Sequence, residues 1–386
     1  MSVLARQRFS LALVSSLPLL PLVSSYPEVS DNQCDCYYTN ASSANYFTSH
    51  YFFDFRSLSQ YAKVPSPINE PDDDAQASPT SDYFSSDDWN DVWAIQNWNN
   101  SASVESGDAP TLMVNSANNI YIESNGDVNP ASETYMTMRT LRQKEYQSAA
   151  EFQSVSQALH YLSVRMYART SGPPGAVTAM FTYKDDGDPS DLSAVQESDL
   201  EIRTQDPATK IQYTNQPSYS SMGNDIPAAT RNASTPAALK WTDWATYRMD
   251  WDSKATSWYM DGLSTASISF QVPRDPSTVI FNAWSDGGVW SGNMSVGKAA
   301  YMQIQWIEMV YNSSDVKAGE KRTELGSELT LMERSGTSCA RICSIDDTTQ
   351  IGTPVLIQSG TSRAYHKSLA NSIAWIPLIP TTFLLL

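Results

Sequence analysis

A succession of short β-strand signals, separated by turns, is the feature that most constrains how this chain of 386 residues can fold. Apolar and polar residues alternate with a period of two in segments such as TYMTMRTL, AVTAMFTY and KIQYTN, a pattern typical of strands with one buried face. No long stretch shows convincing helical periodicity, and the best helix candidate, QKEYQSAAEFQSV, lies between strand signals. The pattern predicts an all-β protein whose antiparallel sheets stack as a β-sandwich or jelly roll.

The net charge and the small number of histidines limit the kinds of functional site that this chain can contain. The chain has 42 Asp and Glu against 25 Lys and Arg, a formal net charge of −17, so it should repel a phosphate backbone and we expect no nucleic-acid partner. The histidines His50, His160 and His366 lie far apart in sequence and offer little material for a His-rich metal site or a Ser-His-Asp triad. We therefore expect carboxylate chemistry without a cofactor, and a structural calcium ion is left open.

Both ends of the sequence have the order of residues found in processing signals. Arginines precede an apolar run that ends in small residues near Ser25, which predicts a secretory signal peptide at 1–25. Small residues from Ser359, a polar spacer and an apolar end predict a glycolipid (GPI) attachment signal at 359–386; a disordered tail or a short transmembrane helix is the alternative. Residues 26–358 would then be a secreted, monomeric domain at the cell surface or cell wall, anchored to the plasma membrane through the glycolipid.

If the protein is secreted, we expect its four cysteines to form two disulfides. Cys34 and Cys36 lie near one end, and Cys339 and Cys343 near the other, so we expect bridges between the two pairs that join both ends of one domain. The sequence does not choose between the two crossed arrangements. Asn-x-Ser/Thr sequons, which are predicted glycosylation sites, occur at Asn40, Asn99, Asn232, Asn293 and Asn312.

Three acids recur at alternate positions in the segment QESDLEIRT. In a strand, Glu197, Asp199 and Glu201 share one face, and the residues between them share the other. At ~3.3 Å per residue the Cα atoms of the two glutamates lie ~13 Å apart, and side chains that lean inward can reach the ~5 to 5.5 Å of retaining glycosidases. The alternative is a solvated acidic face, although like charges in a row on one face destabilise a strand.

The sequence Glu197-Ser198-Asp199-Leu200-Glu201 resembles the E-x-D-x-E signature of family-16 glycoside hydrolases, and the downstream segments WTDWATYRMDWDSKATSWYMDG and VIFNAWSDGGVWSG resemble later parts of that family. The resemblance covers most of the predicted mature chain. It implies a concanavalin A-like jelly roll, with Glu197 as nucleophile, Asp199 as assisting acid and Glu201 as acid/base. Ser198 departs from the family pattern, which commonly has an aliphatic residue there, and this leaves linkage preference open.

Aromatic and polar side chains near these segments are candidate sugar contacts, because sugar rings stack on aromatic faces and their hydroxyls need polar partners. We predict a stacking platform at Trp284 and Trp290, and hydroxyl contacts from Tyr213, Asn215 and Gln216. For each of these residues the alternative is a structural role in the sandwich.

The sequence thus predicts a retaining β-glucan-active hydrolase, similar to endo-β-1,3(4)-glucanases, that acts on β-linked cell-wall polysaccharide. Transfer to a second sugar instead of water, as in a cell-wall glucan or chitin transglycosylase, is one alternative. A carbohydrate-binding jelly roll without turnover is the other.

Overall fold

The computed structural model describes residues 26–40, 45–184, 194–220, 222–314 and 339–359, which form twenty strands and three short α-helices. In chain order the strands are β1 (Cys36–Thr39), β2 (Asn45–Phe47), β3 (Ser49–Asp54), β4 (Trp93–Ile95), β5 (Met113–Asn115), β6 (Ile120–Ser124), β7 (Thr134–Arg142), β8 (Gln147–Ser154), β9 (Leu159–Ser171), β10 (Val177–Lys184), β11 (Gln196–Arg203), β12 (Lys210–Gln216), β13 (Thr230–Ser234), β14 (Ala245–Trp251), β15 (Thr256–Met260), β16 (Leu263–Ile268), β17 (Thr278–Trp284), β18 (Ala299–Ser313), β19 (Ile342–Ser344) and β20 (Val355–Gln358). The helices are α1 (Pro71–Ala75), α2 (Asp87–Asn90) and α3 (Ser101–Ser106). The predicted all-β fold is confirmed.

The predicted signal peptide and all of the predicted anchor signal except Ser359 lie outside the described residues. Within the part of the chain that is described, no helix has the length and apolar character needed to cross a membrane.

The strands form two stacked layers. The front sheet has the order β13-β12-β11-β10-β17-β8-β4, and the back sheet has the order β6-β7-β18-β9-β14-β15-β16, with β3 also paired to β18. Strand β8 belongs to both layers, because it pairs with β17 on one side and meets β7 on the other. The pairings between neighbours in both layers are antiparallel, as the short turns between strand signals predict.

One continuous hydrophobic core fills the space between the layers. Leu200 and Ile202 of the front sheet pack there with Met166 and Ile307 of the back sheet. Each side chain of this size stabilises the fold by roughly 1.5–3 kcal/mol through the apolar area it removes from water. Because alternate residues of β11 point into this core, its remaining side chains must point away from it, out of the front sheet.

The segment that gives the best helix candidate in the sequence is a strand. Residues 147–154 form β8, in which Ala150 and Phe152 are buried in the core while Glu151 lies on the opposite face. Ala, Glu and Gln favour helices intrinsically, but here pairing with two neighbouring strands and burial of alternate side chains outweigh that preference.

The two ends of the described chain form a separate small sheet of order β2-β1-β19-β20, in which β1 and β19 run parallel. Disulfides join Cys34 to Cys343 and Cys36 to Cys339. The predicted linkage between the two ends is therefore confirmed, and the structure selects one of the two crossed arrangements.

A chain of charged side chains, all buried except the exposed Asp31, fastens this small sheet to the back sheet. His50 on β3 contacts Asp31 at 2.7 Å and Glu308 on β18 at 3.0 Å. Arg165 on β9 bonds to Glu308 through its Nε at 2.7 Å, and its Nη1 bonds to Asp346 at 2.6 Å. Asp31 and Asp346 come from the two ends of the chain, so each end contributes one carboxylate to a set of charges whose other members belong to the sandwich. These partners offset part of the cost of removing the buried charges from water, and removal of one partner would leave another charge buried without compensation.

Candidate active site

Strand β11 presents the three predicted acids on the outer face of the front sheet. Glu197 and Glu201 are half-buried, and Asp199 between them is only 2% exposed. The intervening Leu200 packs in the core, so the alternation has the phase that the sequence predicts. Pairing with β10 and β12 on both sides holds the strand straight and fixes the spacing of the acids.

Burial sets the protonation chemistry of these acids. It raises the pKa of Glu201 to about 8, and the neighbouring Glu197 adds to the rise while Arg203 opposes it. Burial also raises the pKa of Glu197 to about 7, and a hydrogen bond from Asp199 partly reverses that rise. The pKa of Asp199 is raised well above its usual range by burial and by both glutamates. The hydrogen bond from Asp199 favours the charged form of Glu197, and burial together with the charge of Glu197 favours the protonated form of Glu201, which suits a pair with one base and one acid.

A row of side chains crosses the front sheet at the level of Glu201. Glu201 pairs with Gln212 on β12 and with Ala179 on β10. Gln212 pairs in turn with Asn232 on the edge strand β13. In the other direction Ala179 pairs with Asn282 on β17, and Asn282 pairs with Glu151 on β8. We call this set, which crosses six strands, the Glu201 row.

The β8 end of the Glu201 row holds residues that are not among the predicted contacts. Glu151 is 6% exposed, and it accepts a hydrogen bond of 2.7 Å from the indole Nε1 of Trp98 and one of 3.5 Å from Asn282. Burial raises the pKa of Glu151, and its charge raises the pKa of Glu197. Trp98 is 44% exposed. The Glu151 carboxylate therefore orients an indole ring that is accessible to a solute. The sequence signal that could have placed Glu151 on this face is the period-two pattern of β8, in which Phe152 faces the core and Glu151 faces outward.

The predicted aromatic pair lies beside the Glu201 row. Trp284 ends β17 in register with Val177, which in turn pairs with Arg203 at the end of β11. Its ring stacks with that of Trp290, with centroids 6.0 Å apart and an interplanar angle of 19°. The guanidinium carbon of Arg203 lies 5.2 Å from the Trp290 centroid. The two tryptophans and Arg203 therefore form one ordered surface on the face that carries the acids.

Two predicted sugar contacts on β12 are wrong. Tyr213 and Asn215 are 1% and 0% exposed, because they pair with Leu200 and Ser198 and share their core-facing side. Tyr213 packs on Trp258, and Asn215 bonds to Ser198 and to the carbonyl of Phe270. Gln216, the third predicted contact on β12, pairs with Glu197 and remains half-buried on the acid-bearing side. The positions of β12 that share that side with Gln216 are Lys210, Gln212 and Thr214.

Glu151, Glu197, Asp199 and Glu201 place four carboxyl groups on this face. Among the described residues, no group of three or more His, Cys, Asp or Glu is arranged to hold a metal ion. The prediction that no cofactor is needed stays a prediction.

Comparison with known proteins connects this arrangement to a family. The model for glycosyl hydrolases family 16 matches residues 113–308, a span that contains β11 and every member of the Glu201 row. The beta-glucanase of Paenibacillus polymyxa is 27% identical over 140 residues, which are 36% of this chain and 54% of that protein. The beta-glucanase of Bacillus subtilis is 28% identical over 138 residues, 34% of this chain and 51% of that protein. The chain thus spans about half the length of the curated relatives that it matches.

Solved structures with similar folds include a Bacillus licheniformis beta-glucanase, with a TM-score of 0.44 and 21% identity over 58% of this chain and 92% of that one. Another is an endo-beta-1,3-glucanase from Pyrococcus furiosus, with a TM-score of 0.47 and 15% identity over 72% of this chain and 99% of that one. The family model itself covers half of the present sequence, and the chain belongs to glycosyl hydrolases family 16.

Proposed function

We propose that this chain is a retaining β-glucan hydrolase that acts by double displacement. The observation that carries the proposal is the pair Glu197 and Glu201, which lie on one face of one strand with Asp199 between them and with pKa values raised to about 7 and about 8. A site that only binds sugar has no need for two aligned glutamates whose pKa values are both raised. The family membership and the named activity of the bacterial relatives support the same assignment.

The first displacement uses both glutamates at once. Glu201 gives its carboxyl proton to the leaving glycosidic oxygen, the carboxylate of Glu197 attacks the anomeric carbon, and the glycosidic C–O bond breaks. Burial keeps Glu201 protonated near neutral pH, as a general acid requires. The hydrogen bond from Asp199 stabilises the Glu197 carboxylate before the attack and while its charge is transferred.

The second displacement restores the enzyme. The Glu201 carboxylate takes a proton from water, the resulting hydroxide equivalent attacks the anomeric carbon, and the ester to Glu197 breaks. The configuration at that carbon is inverted twice and so retained. If a sugar hydroxyl enters in place of water, the same steps transfer the glycan and make the protein a transglycosylase.

The substrate that we propose is a β-1,3 or mixed β-1,3(4) cell-wall glucan. Its rings would stack on Trp284 and Trp290, and its hydroxyls would bond to Gln216 and to polar members of the Glu201 row other than Asn232. We further propose that the protein works outside the cell, after removal of residues 1–25, and that a glycolipid attached near Ser359 holds it at the membrane or wall.

The test follows reducing ends released from linear mixed-linkage and β-1,3-glucans by the purified chain. We expect release by the wild type and a loss of at least ~10³-fold in Glu197→Gln, because the nucleophile is removed while the shape is kept. Glu145→Gln is the matched control, since Glu145 is a surface residue whose side chain is 76% exposed, and it should behave as wild type. Release of reducing ends that persists unchanged in Glu197→Gln would contradict the assignment of Glu197 as the nucleophile.

Labelled acceptor oligosaccharides separate the remaining alternatives. Label that stays in the free acceptor during glucan cleavage indicates hydrolysis, and label that moves into longer products indicates transfer. Saturable binding of oligosaccharides with neither outcome would identify a carbohydrate-binding protein without turnover.

A further inference from the structure

One of the five sequons lies on the same face of the front sheet as the acids. Asn232 is exposed on the edge strand β13 and pairs with Gln212, which pairs with Glu201. Residues paired in this way point to the same side of a sheet, and neighbouring strands lie ~4.8 Å apart, so the Cα atoms of Asn232 and Glu201 lie ~10 Å apart. Asn232 is thus the last member of the Glu201 row, at the opposite end from Trp98.

The row also gives the direction in which a glucan would lie. The two carboxyl groups of a retaining site flank the scissile bond, and here they are spaced along β11. A sugar chain placed between them crosses the strands, and the polar groups available to it on either side are those of the Glu201 row. We call this path along the Glu201 row the groove, and one arm of it extends over β10, β17 and β8 to Trp98 and Glu151. The other arm extends only over β12 and ends at β13, the last strand of the front sheet.

We propose that an N-linked glycan on Asn232 closes the β13 end of this groove and limits the length of glucan that the short arm accepts. The inference rests on the proposed function. An N-glycan is a bulky, strongly hydrated group, and at ~10 Å from Glu201 it occupies the space into which a long chain would continue. The glycan would exclude long glucans by steric clash. The site would then discriminate among substrates without any additional attractive contact.

Two of the other sequons, at Asn312 and Asn40, lie away from this face. Asn312 is on β18 of the back sheet, where its side-chain oxygen accepts a bond of 3.0 Å from Thr48 and its amide donates one of 3.1 Å to Tyr46. Asn40 follows β1 in the small terminal sheet. A glycan on either residue would lie away from the acids, so these sites supply internal controls.

The experiment uses the full chain produced in a eukaryotic secretory host. Peptide mass spectrometry reads the occupancy of Asn232, and kcat/KM is measured for a long β-glucan and for short oligosaccharides of the same linkage. Asn232→Gln and Ser234→Ala both destroy the sequon, and Ser234→Thr keeps it. Ser314→Ala removes the sequon at Asn312 and is the matched control on the other sheet.

We expect a glycan on Asn232 in the wild type and in Ser234→Thr. Loss of that glycan should raise kcat/KM for the long glucan by about tenfold, the scale of one removed clash in a substrate site, with the value for short oligosaccharides changed less than about twofold. Ser314→Ala should leave both values unchanged.

Two results would overturn the inference: an unmodified Asn232 in the secreted protein, or an occupied Asn232 whose removal leaves the ratio of long to short substrates unchanged. Either result leaves turnover of short oligosaccharides intact and so leaves the proposed function standing. Absence of turnover in every form, with and without the glycan, would instead overturn the proposed function together with the inference built on it.

Discussion

Asp199 lies between Glu197 and Glu201 on β11 and forms a hydrogen bond with the first of them. Because burial and both glutamates raise its pKa, Asp199 carries the proton in that bond and Glu197 carries the charge. A neutral donor stabilises a carboxylate without adding a second negative charge beside it. Three buried acids can therefore occupy one face of a strand, provided that they do not all ionise together.

Replacing Asp199 by Ala should make Glu197 harder to ionise. The hydrogen bond that lowers the pKa of Glu197 is lost, so the acidic limb of the pH profile of kcat/KM, where the nucleophile must be ionised, moves to higher pH. We expect kcat to fall by ~10-fold or more because the carboxylate is less well held. Asp199→Asn keeps a donor and should show a smaller shift. An acidic limb that is unmoved in Asp199→Ala would contradict this role.

Glu151 also affects the acidic limb of the pH profile of kcat/KM, but in the direction opposite to that of Asp199. Its charge raises the pKa of Glu197, so in Glu151→Gln the acidic limb should move to lower pH, while Trp98 keeps a hydrogen-bond acceptor for its indole N–H. The alkaline limb, set by Glu201 with its pKa of about 8, should move less. Full pH profiles of kcat/KM for the wild type and Glu151→Gln make the comparison, and shifts of the two variants in the same direction would refute the electrostatic explanation.

At the level of strands, the sequence predicts β11 better than it predicts β12. In β11 the charge pattern itself distinguishes the two faces, because Leu200 and Ile202 alternate with acids. In β12 the polar Asn215 shares the core-facing side with Tyr213, and its partners Ser198 and Phe270 come from distant strands and loops. A buried polar residue is acceptable when such partners exist, but the partners are set by how strands pair, which local alternation does not reveal.

The position of Asn215 has a measurable consequence for stability. It bonds to Ser198 behind the acid-bearing face, and Ser198 also contacts Thr256 at 2.9 Å. Asn215→Ala leaves buried polar groups without partners, so we expect the free energy of unfolding to fall by about 1–3 kcal/mol. KM for short oligosaccharides should change little, because Asn215 does not reach the acid-bearing face. Chemical denaturation and kinetics test both parts, and a large rise in KM with normal stability would favour direct sugar contact.

Strand β8 shows a second limit of prediction from sequence. Its composition favours a helix, yet residues from both sheets pair with it and Glu151 completes the Glu201 row. Trp98 precedes β8 by some fifty residues in the chain, and only the fold brings its indole to Glu151. The acids of one strand are visible in sequence, whereas a site assembled across six strands is not.

At the scale of the whole molecule, buried charges join both ends of the chain to the sandwich. His50 lies between Asp31 and Glu308, and its side chain is fully buried. These two carboxylates raise the pKa of His50 to about 9 despite its burial. A histidine with a raised pKa stabilises the folded state fully below its ordinary pKa, near 6.5, and that contribution is lost as pH rises through about 9.

Thermal unfolding should therefore depend on pH through His50. We expect the wild-type melting temperature to fall between about pH 7 and about pH 9.5 as a contribution of a few kcal/mol is lost. His50→Gln should melt lower at neutral pH and should lose less on going to alkaline pH, since it has no proton to release. Parallel pH dependences in the two proteins would show that His50 does not couple the terminal sheet to the sandwich.

The joined ends also fix an order of events during synthesis. Cys36 and Cys339 are 303 residues apart, and at ~5–20 residues per second a ribosome needs roughly 15–60 s to travel between them. Until then β1 has no β19 to pair with, and the first two cysteines remain thiols with no native partner. The sandwich has by that time received all of its own strands. Strand β1 is made before the other strands and is thus among the last to reach its place. In the oxidising compartment that the proposed secretion implies, its cysteines must stay available until the final strands arrive.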